Sequence, residues 1–167
     1  MAGKCMWAGC EKQGTRVAPW GIAGKLWVCD EHFEVLNRAA EEEERKIKER
    51  KEKQERAIEE ARELLTFPQN VVPFVVKEYE GCPDTYVTLG KKVQYEVYKE
   101  LLSSGALTKD VEGRNVYYII TDEQKAAKIL QKHGYKVILS SEWKEKHKRA
   151  CEILRQAGVL PLSVSFV

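Results

Sequence analysis

The sequence predicts an α+β protein in three parts: a small module over residues 1–33, a long charged helix over 34–65 and an α/β domain over 66–167. Three observations carry this division. Three of the five cysteines lie in the first 29 residues, and a histidine follows the third by three positions. From Asp30 to Leu65 the chain has neither glycine nor proline and consists of strong helix formers. Beyond Thr66, short runs rich in Val, Ile and Tyr alternate with amphipathic segments that end at glycines.

Apolar residues make up 43% of the 167 and charged ones 32%, which is enough to build a core. The net charge of +2 names no partner, so any electrostatic argument rests on local clusters. No run approaches the ~20 apolar residues of a membrane-spanning helix. The segment "MAGKCMWAGC" lacks the apolar stretch of a signal peptide, so a cytoplasmic protein is expected. Thiols stay reduced there, and clustered cysteines read as metal ligands before disulfides.

The first module carries the pattern C-x4-C-x18-C-x2-H at Cys5, Cys10, Cys29 and His32. Two close pairs joined by a longer loop can surround a tetrahedral zinc ion. Gly9 and Gly14 let the chain turn around the first pair, and Asp30-Glu31 read as the first turn of a helix that presents the second. So short a fragment buries little apolar surface, and one metal ion would supply its folding energy. Four ligands close the tetrahedron, which points to structural zinc. Residues 5–33 resemble small Cys3His knuckles of treble-clef type, in which a C-x2-H pair opens a helix and is commonly followed by an aromatic. Phe33 takes that last place.

The helix that follows is laced with i,i+4 acid-to-base pairs, among them Glu42–Lys46 and Glu49–Lys53. Residues 41–65 hold ten acids and eight bases. A heptad test places Phe33, Ala40, Ile47, Gln54 and Ala61 on one line, apolar at its ends and broken between. This predicts a solvated spacer of about 50 Å at 1.5 Å per residue, with at most weak pairing to a second copy.

"TFPQNVVPF" breaks the helix. "VVPFVVKEY" reads as a strand, which Pro73 pushes toward an edge or a strand start. "EGCPDTYVTLG" reads as a loop, and residues 91–104 as a helix with Val93, Val97, Tyr98, Leu101 and Leu102 on one side, capped by Gly105. A hairpin follows over 106–121, turning near Glu112-Gly113. Asp122 caps a helix that closes at Gly134, "YKVILS" is a strand, a helix ends at Gly158, and "VLPLSVSFV" reads as a last strand. The order β-α-β-β-α-β resembles ferredoxin-like domains, ACT-type regulatory domains included. The passage 91–121 also resembles the recognition helix and wing of a winged helix, the alternative fold.

No phosphate-binding loop or nucleophile elbow is present; Gly21 and Gly24 lack the required spacing. Cys82 reads as an incidental loop cysteine, Cys151 as core, and His133 as serving a helix C-terminus. In "EWKEKHKRA", Lys144, Lys146, Lys148 and Arg149 crowd one and a half helical turns around His147, a cluster suited to phosphates. Glu142 and Glu145 dilute it. Arg16 and Lys25, among Trp7, Trp20 and Trp27, form a second cationic and aromatic surface. The expectation is a non-enzymatic, nucleic-acid-associated regulatory adaptor with a structural zinc site, of the kind that serves as a subunit of a nucleoprotein assembly. A protein–protein adaptor or inhibitor is the alternative, and an ACT-type small-molecule domain the third.

Overall fold

The computed structural model describes residues 3–18, 26–78 and 85–164. The chain is an α+β protein that divides into two compact units, Met1–Glu55 and Arg56–Val167. In the first, strands β1 (Arg16–Ala18) and β2 (Leu26–Val28) pair antiparallel, with Val17 opposite Trp27, and β2 leads into helix α1 (Asp30–Leu65). The sequence identified that helix by its composition. Of its charged pairs, Glu42–Lys46 closes at 2.9 Å, while Arg45 turns forward to Glu49 at 3.4 Å.

The expected spacer is solvated over most of its length but not at its end. Ala57, Ala61 and Leu65 are buried, and Ala61 and Leu65 share a core cluster with Ala150 and Leu154 of helix α4 (Ser140–Gln156). The final turns of α1 are thus part of the second unit's interior. The reason is local: Ala57, Ile58, Ala61, Leu64 and Leu65 restore an apolar stripe that the preceding charged turns lack.

The second unit continues with β3 (Val71–Glu78), β4 (Thr85–Leu89), α2 (Tyr95–Ser103), β5 (Leu107–Glu112), β6 (Asn115–Ile120), α3 (Glu123–Lys132), β7 (Lys136–Ile138) and α4. Strand β3 is central in a three-stranded sheet of order β4-β3-β7, antiparallel to β4 and parallel to β7. Strands β5 and β6 form a separate two-stranded sheet. The four-stranded ferredoxin-like sheet expected from the element order is therefore not formed, and the ACT-type expectation, which rested on it, is not carried forward. Two causes can be named. "TYVTL", expected within a loop, is β-branched enough to form β4 and takes the place beside β3. The hairpin strands satisfy each other's backbone groups instead. The winged-helix alternative keeps its local helix-then-hairpin passage, α2 followed by β5–β6, but β3 and β4 stand where that fold needs a helix.

Pro73 sits in the central strand rather than at an edge or a strand start. Residues Val71–Pro73 pair with β7 and Phe74–Glu78 with β4, so Pro73 lies at the changeover between partners. Its carbonyl accepts from Gly90 N–H at 2.8 Å. A Cβ at Gly90 would lie 2.7 Å from both Pro73 Cγ and Val75 Cγ2, so no larger residue fits this approach.

The main core gathers Val72 and Phe74 of β3, Val97 and Leu101 of α2, Leu107 and Ile120 of the hairpin, and Ala126 and Leu130 of α3. Helices α2, α3 and α4 are closed by Gly105, Gly134 and Gly158 as expected, and Asp122 caps α3 by accepting from Lys125 N–H at 3.1 Å. Helix α2 begins at Tyr95, four residues later than expected. Lys91, ahead of it, instead reaches back to the carbonyls of Phe67 (2.6 Å) and Pro68. Within the described part of the expected last strand, Pro161–Ser163 form a 3-10 turn, and residues 165–167 of that stretch lie outside the described residues. Among the described residues, no helix is long and apolar enough to cross a membrane.

Candidate metal centre

The first unit folds around the four predicted ligands. The chain enters at Cys5, whose N–H donates to Lys12 O at 2.8 Å, while an antiparallel bridge pairs Lys4 with Gln13. Between them Gly9, at φ +79°, allows the turn that brings Cys10 back, and Cys10 N–H donates to Trp7 O at 3.0 Å. The hairpin β1–β2 delivers Cys29 to the start of α1, and His32 follows on the first helical turn. Two contacts hold that helix start to the knuckle: Thr15 Oγ1 donates to Asp30 at 3.1 Å, and Lys12 Nζ donates to Glu31 at 2.5 Å. Asp30 and Glu31, expected as helix N-terminal charges, thus also tether the two ligand pairs to each other.

The side-chain donor atoms of Cys5, Cys10, Cys29 and His32 all lie within 4.8 Å of one another. His32 Nδ1 is 3.5 Å from Cys5 Sγ and 3.2 Å from Cys29 Sγ, and Cys10 Sγ is 4.0 Å from Cys29 Sγ. A zinc ion bonded at about 2.3 Å to sulfur and about 2.0 Å to nitrogen sets tetrahedral ligands roughly 3.5–3.8 Å apart. The observed separations bracket that edge length, so the set fits a four-coordinate metal. The three cysteines are free thiols, with Cys5 and Cys29 buried. Ala18 and Val28 are buried beside them, and Phe33 and Leu36 pack against the cluster.

Electrostatics at the centre favour thiolate at Cys5. Burial pushes Cys5 up, but hydrogen bonds from the Cys29 and Trp7 backbone and from His32 and Cys10 outweigh it and bring the thiol down to about 6. For Cys10 the Lys12 backbone pulls down, while burial and the neighbouring Cys5 and Cys29 sulfurs prevail and raise it. One sulfur of the set is thus readily ionised, while its neighbour resists a second negative charge until a cation compensates it.

Trp7 stacks on His32, with ring centroids 4.6 Å apart and planes 5° from parallel. It remains 40% exposed, so it both covers the metal site and reaches solvent. Arg16 is not a free cation: its guanidinium lies 3.8 Å over the Phe33 ring and 3.8 Å from Glu34. Trp27 is half-buried in β2. Lys25 and Trp20, with Gly21 and Gly24, and Cys82 in the second unit, lie outside the described residues.

The α4 basic cluster is divided by the helix. Lys146, Lys148 and Arg149 line an open groove with Leu64, Glu145 and Glu152, whereas Lys144 is exposed and not part of that lining. An adjoining hollow adds Glu60 and Glu63 to Lys146 and Arg149. Four carboxylates therefore share the ground with three cations. His147 stacks on Trp143 at 4.8 Å; burial pushes its imidazole down, against a smaller upward pull from Glu78. His147 accordingly adds no full charge to the cluster at neutral pH. Cys151 is buried in the α4 core as expected.

Comparison of the chain with protein-family models, with curated proteins and with solved structures finds no match.

Proposed function

We propose that the protein is a zinc-stabilised, non-enzymatic adaptor that works on nucleic acid, with one zinc ion held by Cys5, Cys10, Cys29 and His32. The observation that carries the metal part of this reading is the gathering of the four donor atoms within 4.8 Å of one another, compatible with a four-coordinate site. Four side-chain ligands leave no coordination position for a substrate or a reactive water, so zinc bound here supplies folding energy. The chain's own residues do the rest. Trp7 fixes the His32 ring plane, and Lys12 and Thr15 lock the helix start onto the knuckle.

The nucleic-acid part of the reading is supported by the cations of α4, with Lys146, Lys148 and Arg149 along the groove and Lys144 exposed outside it. One observation favours a protein partner as the second reading. In the first unit Lys12 and Arg16 are already engaged by Glu31 and Glu34, while Met6, Trp7 and Val17 are exposed.

The test is zinc content together with binding of labelled single-stranded and duplex oligonucleotides across a salt series. One zinc per chain, lost in a Cys29→Ser/His32→Ala variant, is the expected metal result. Steep salt dependence that flattens in a Lys144/Lys146/Lys148/Arg149→Glu variant is the expected binding result. No affinity for any nucleic acid at low salt would overturn the reading in favour of a protein partner.

A further inference from the structure

We infer that the outer stripe of α2, continued onto one face of the β5–β6 hairpin, is a contact surface for single-stranded nucleic acid. The inference rests on the nucleic-acid reading above and gives it a place distinct from α4.

Residues advance about 100° per step around a helix, so Tyr95, Lys99 and Leu102 share one narrow stripe of α2, with Tyr98 at its border. Val97 and Leu101 occupy the opposite, fully buried side. Tyr95 is 70% exposed, and Lys99 Nζ lies 4.6 Å from its ring centroid. Leu102 is also exposed. Tyr98 meets Tyr118 of β6 with ring centroids 5.8 Å apart and planes tilted by 48°, which joins the helix stripe to the hairpin.

Register extends the surface. The cross-strand pairs Leu107–Ile120, Lys109–Tyr118 and Val111–Val116 alternate onto one face of the hairpin. Leu107 and Ile120 are buried in the core at its base, while Tyr118, Val116 and Val111 emerge progressively toward the tip. Asp110 lies on the other face, opposite Tyr117. Glu96 and Glu100 sit on a different flank of α2, where Glu100 takes Lys132 and His133. Among the described residues, the stripe therefore holds cations at Lys99 and Lys109 and no carboxylate.

That chemistry selects the ligand. A duplex is held mainly through its phosphates and calls for many cations, of which this surface has two. Unpaired bases offer π faces to exposed rings, and a few interleaved cations suffice for their backbone. Tyr95 and Tyr118 supply the exposed rings, with Tyr98, half-buried against the core, joining them, and Lys99 and Lys109 supply the charges. The sequence carried a faint signal in the i,i+4 spacing of Tyr95 and Lys99, but the register that adds Tyr118 and Lys109 is visible only in three dimensions.

The experiment uses the full zinc-loaded chain and a fluorescent oligothymidylate, with a duplex of the same length beside it. Tyr95→Ala, at a highly exposed position, is expected to weaken single-strand binding roughly tenfold, and Tyr95→Phe to retain it. Lys99→Gln/Lys109→Gln is expected to reduce the log–log salt slope by about 1.4, at about 0.7 per phosphate on a single strand. If the wild-type chain binds nucleic acid and these variants bind equally well, this inference falls while the functional reading stands. If the wild-type chain binds none, the functional reading itself falls. A protein partner lost from Tyr95→Ala after nuclease treatment, with single-strand affinity unchanged, would make the stripe a protein contact and overturn the inference.

Discussion

On the proposed zinc reading, Trp7 would support the metal centre without binding the metal. Its ring lies flat against that of His32, a candidate ligand on the first turn of α1. Groups that orient a ligating imidazole commonly contribute about 10–100-fold to metal affinity. Trp7→Ala is therefore expected to weaken zinc binding about tenfold, and Trp7→Phe to preserve most of it, in a competition titration against a chromophoric chelator. Equal affinity for all three chains would reduce Trp7 to a surface ring. In sequence, "CMWAGC" showed the ligands but not this contact, because 25 residues separate Trp7 from His32 and only the β1–β2 hairpin brings them together.

Between elements, the clearest electrostatic contact is the clasp of α2 to the end of α3. Glu100 accepts from Lys132 Nζ at 2.9 Å and lies 2.5 Å from His133 Nε2, and these two partners hold its carboxyl below the ordinary value. A carboxyl depressed in the folded state adds stability above its unfolded value, and that stability is lost as pH falls through the depressed value. Wild type should thus melt above Glu100→Gln at pH 7, and the gap should close on acidification below about pH 4.3. Thermal unfolding in chelator, followed at Trp143, checks this without a contribution from metal loss; a gap independent of pH would refute it. His133 was legible at a helix C-terminus because Gly134 follows it, whereas Glu100 is 33 residues away and invisible to any local pattern. The same limit explains the strands. The hairpin and the cap residues were readable because turn chemistry is local. The place of β3 was not, because Pro73 argues for an edge unless the strand changes partner at that residue. Likewise the end of α1 reads as helix from composition, but its burial needs Ala150 and Leu154 from the far end of the chain.

On the scale of the whole molecule, the two units differ in what folds them. The second has a core running from β3 through α2, the hairpin and α3, with large side chains such as Phe74, Leu101 and Leu130 fully buried. In the first, the buried hydrophobic set among the described residues is Cys5, Ala18, Val28 and Cys29, and two of those belong to the candidate ligand set. So small an apolar set does not offset the entropy of ordering its chain, and the proposed metal coordination would supply the difference. Chelation at neutral pH is therefore expected to unfold the first unit and leave the second folded. The indoles report this by position. The NMR resonances of Trp7 and Trp27 should collapse toward unfolded shifts, while that of Trp143, on α4, stays in place. Helix α1 should respond from one end only. Its start loses the anchor at Cys29 and His32, and its charged middle keeps only pairs such as Glu42–Lys46, each contributing about 0.2–0.5 kcal/mol. Its last turns stay docked through Ala61 and Leu65. Amide exchange should then accelerate from Asp30 onward and remain slow near Leu65. Uniform exchange along α1, or a shift of the Trp143 resonance, would show that the metal holds more of the molecule than its own unit.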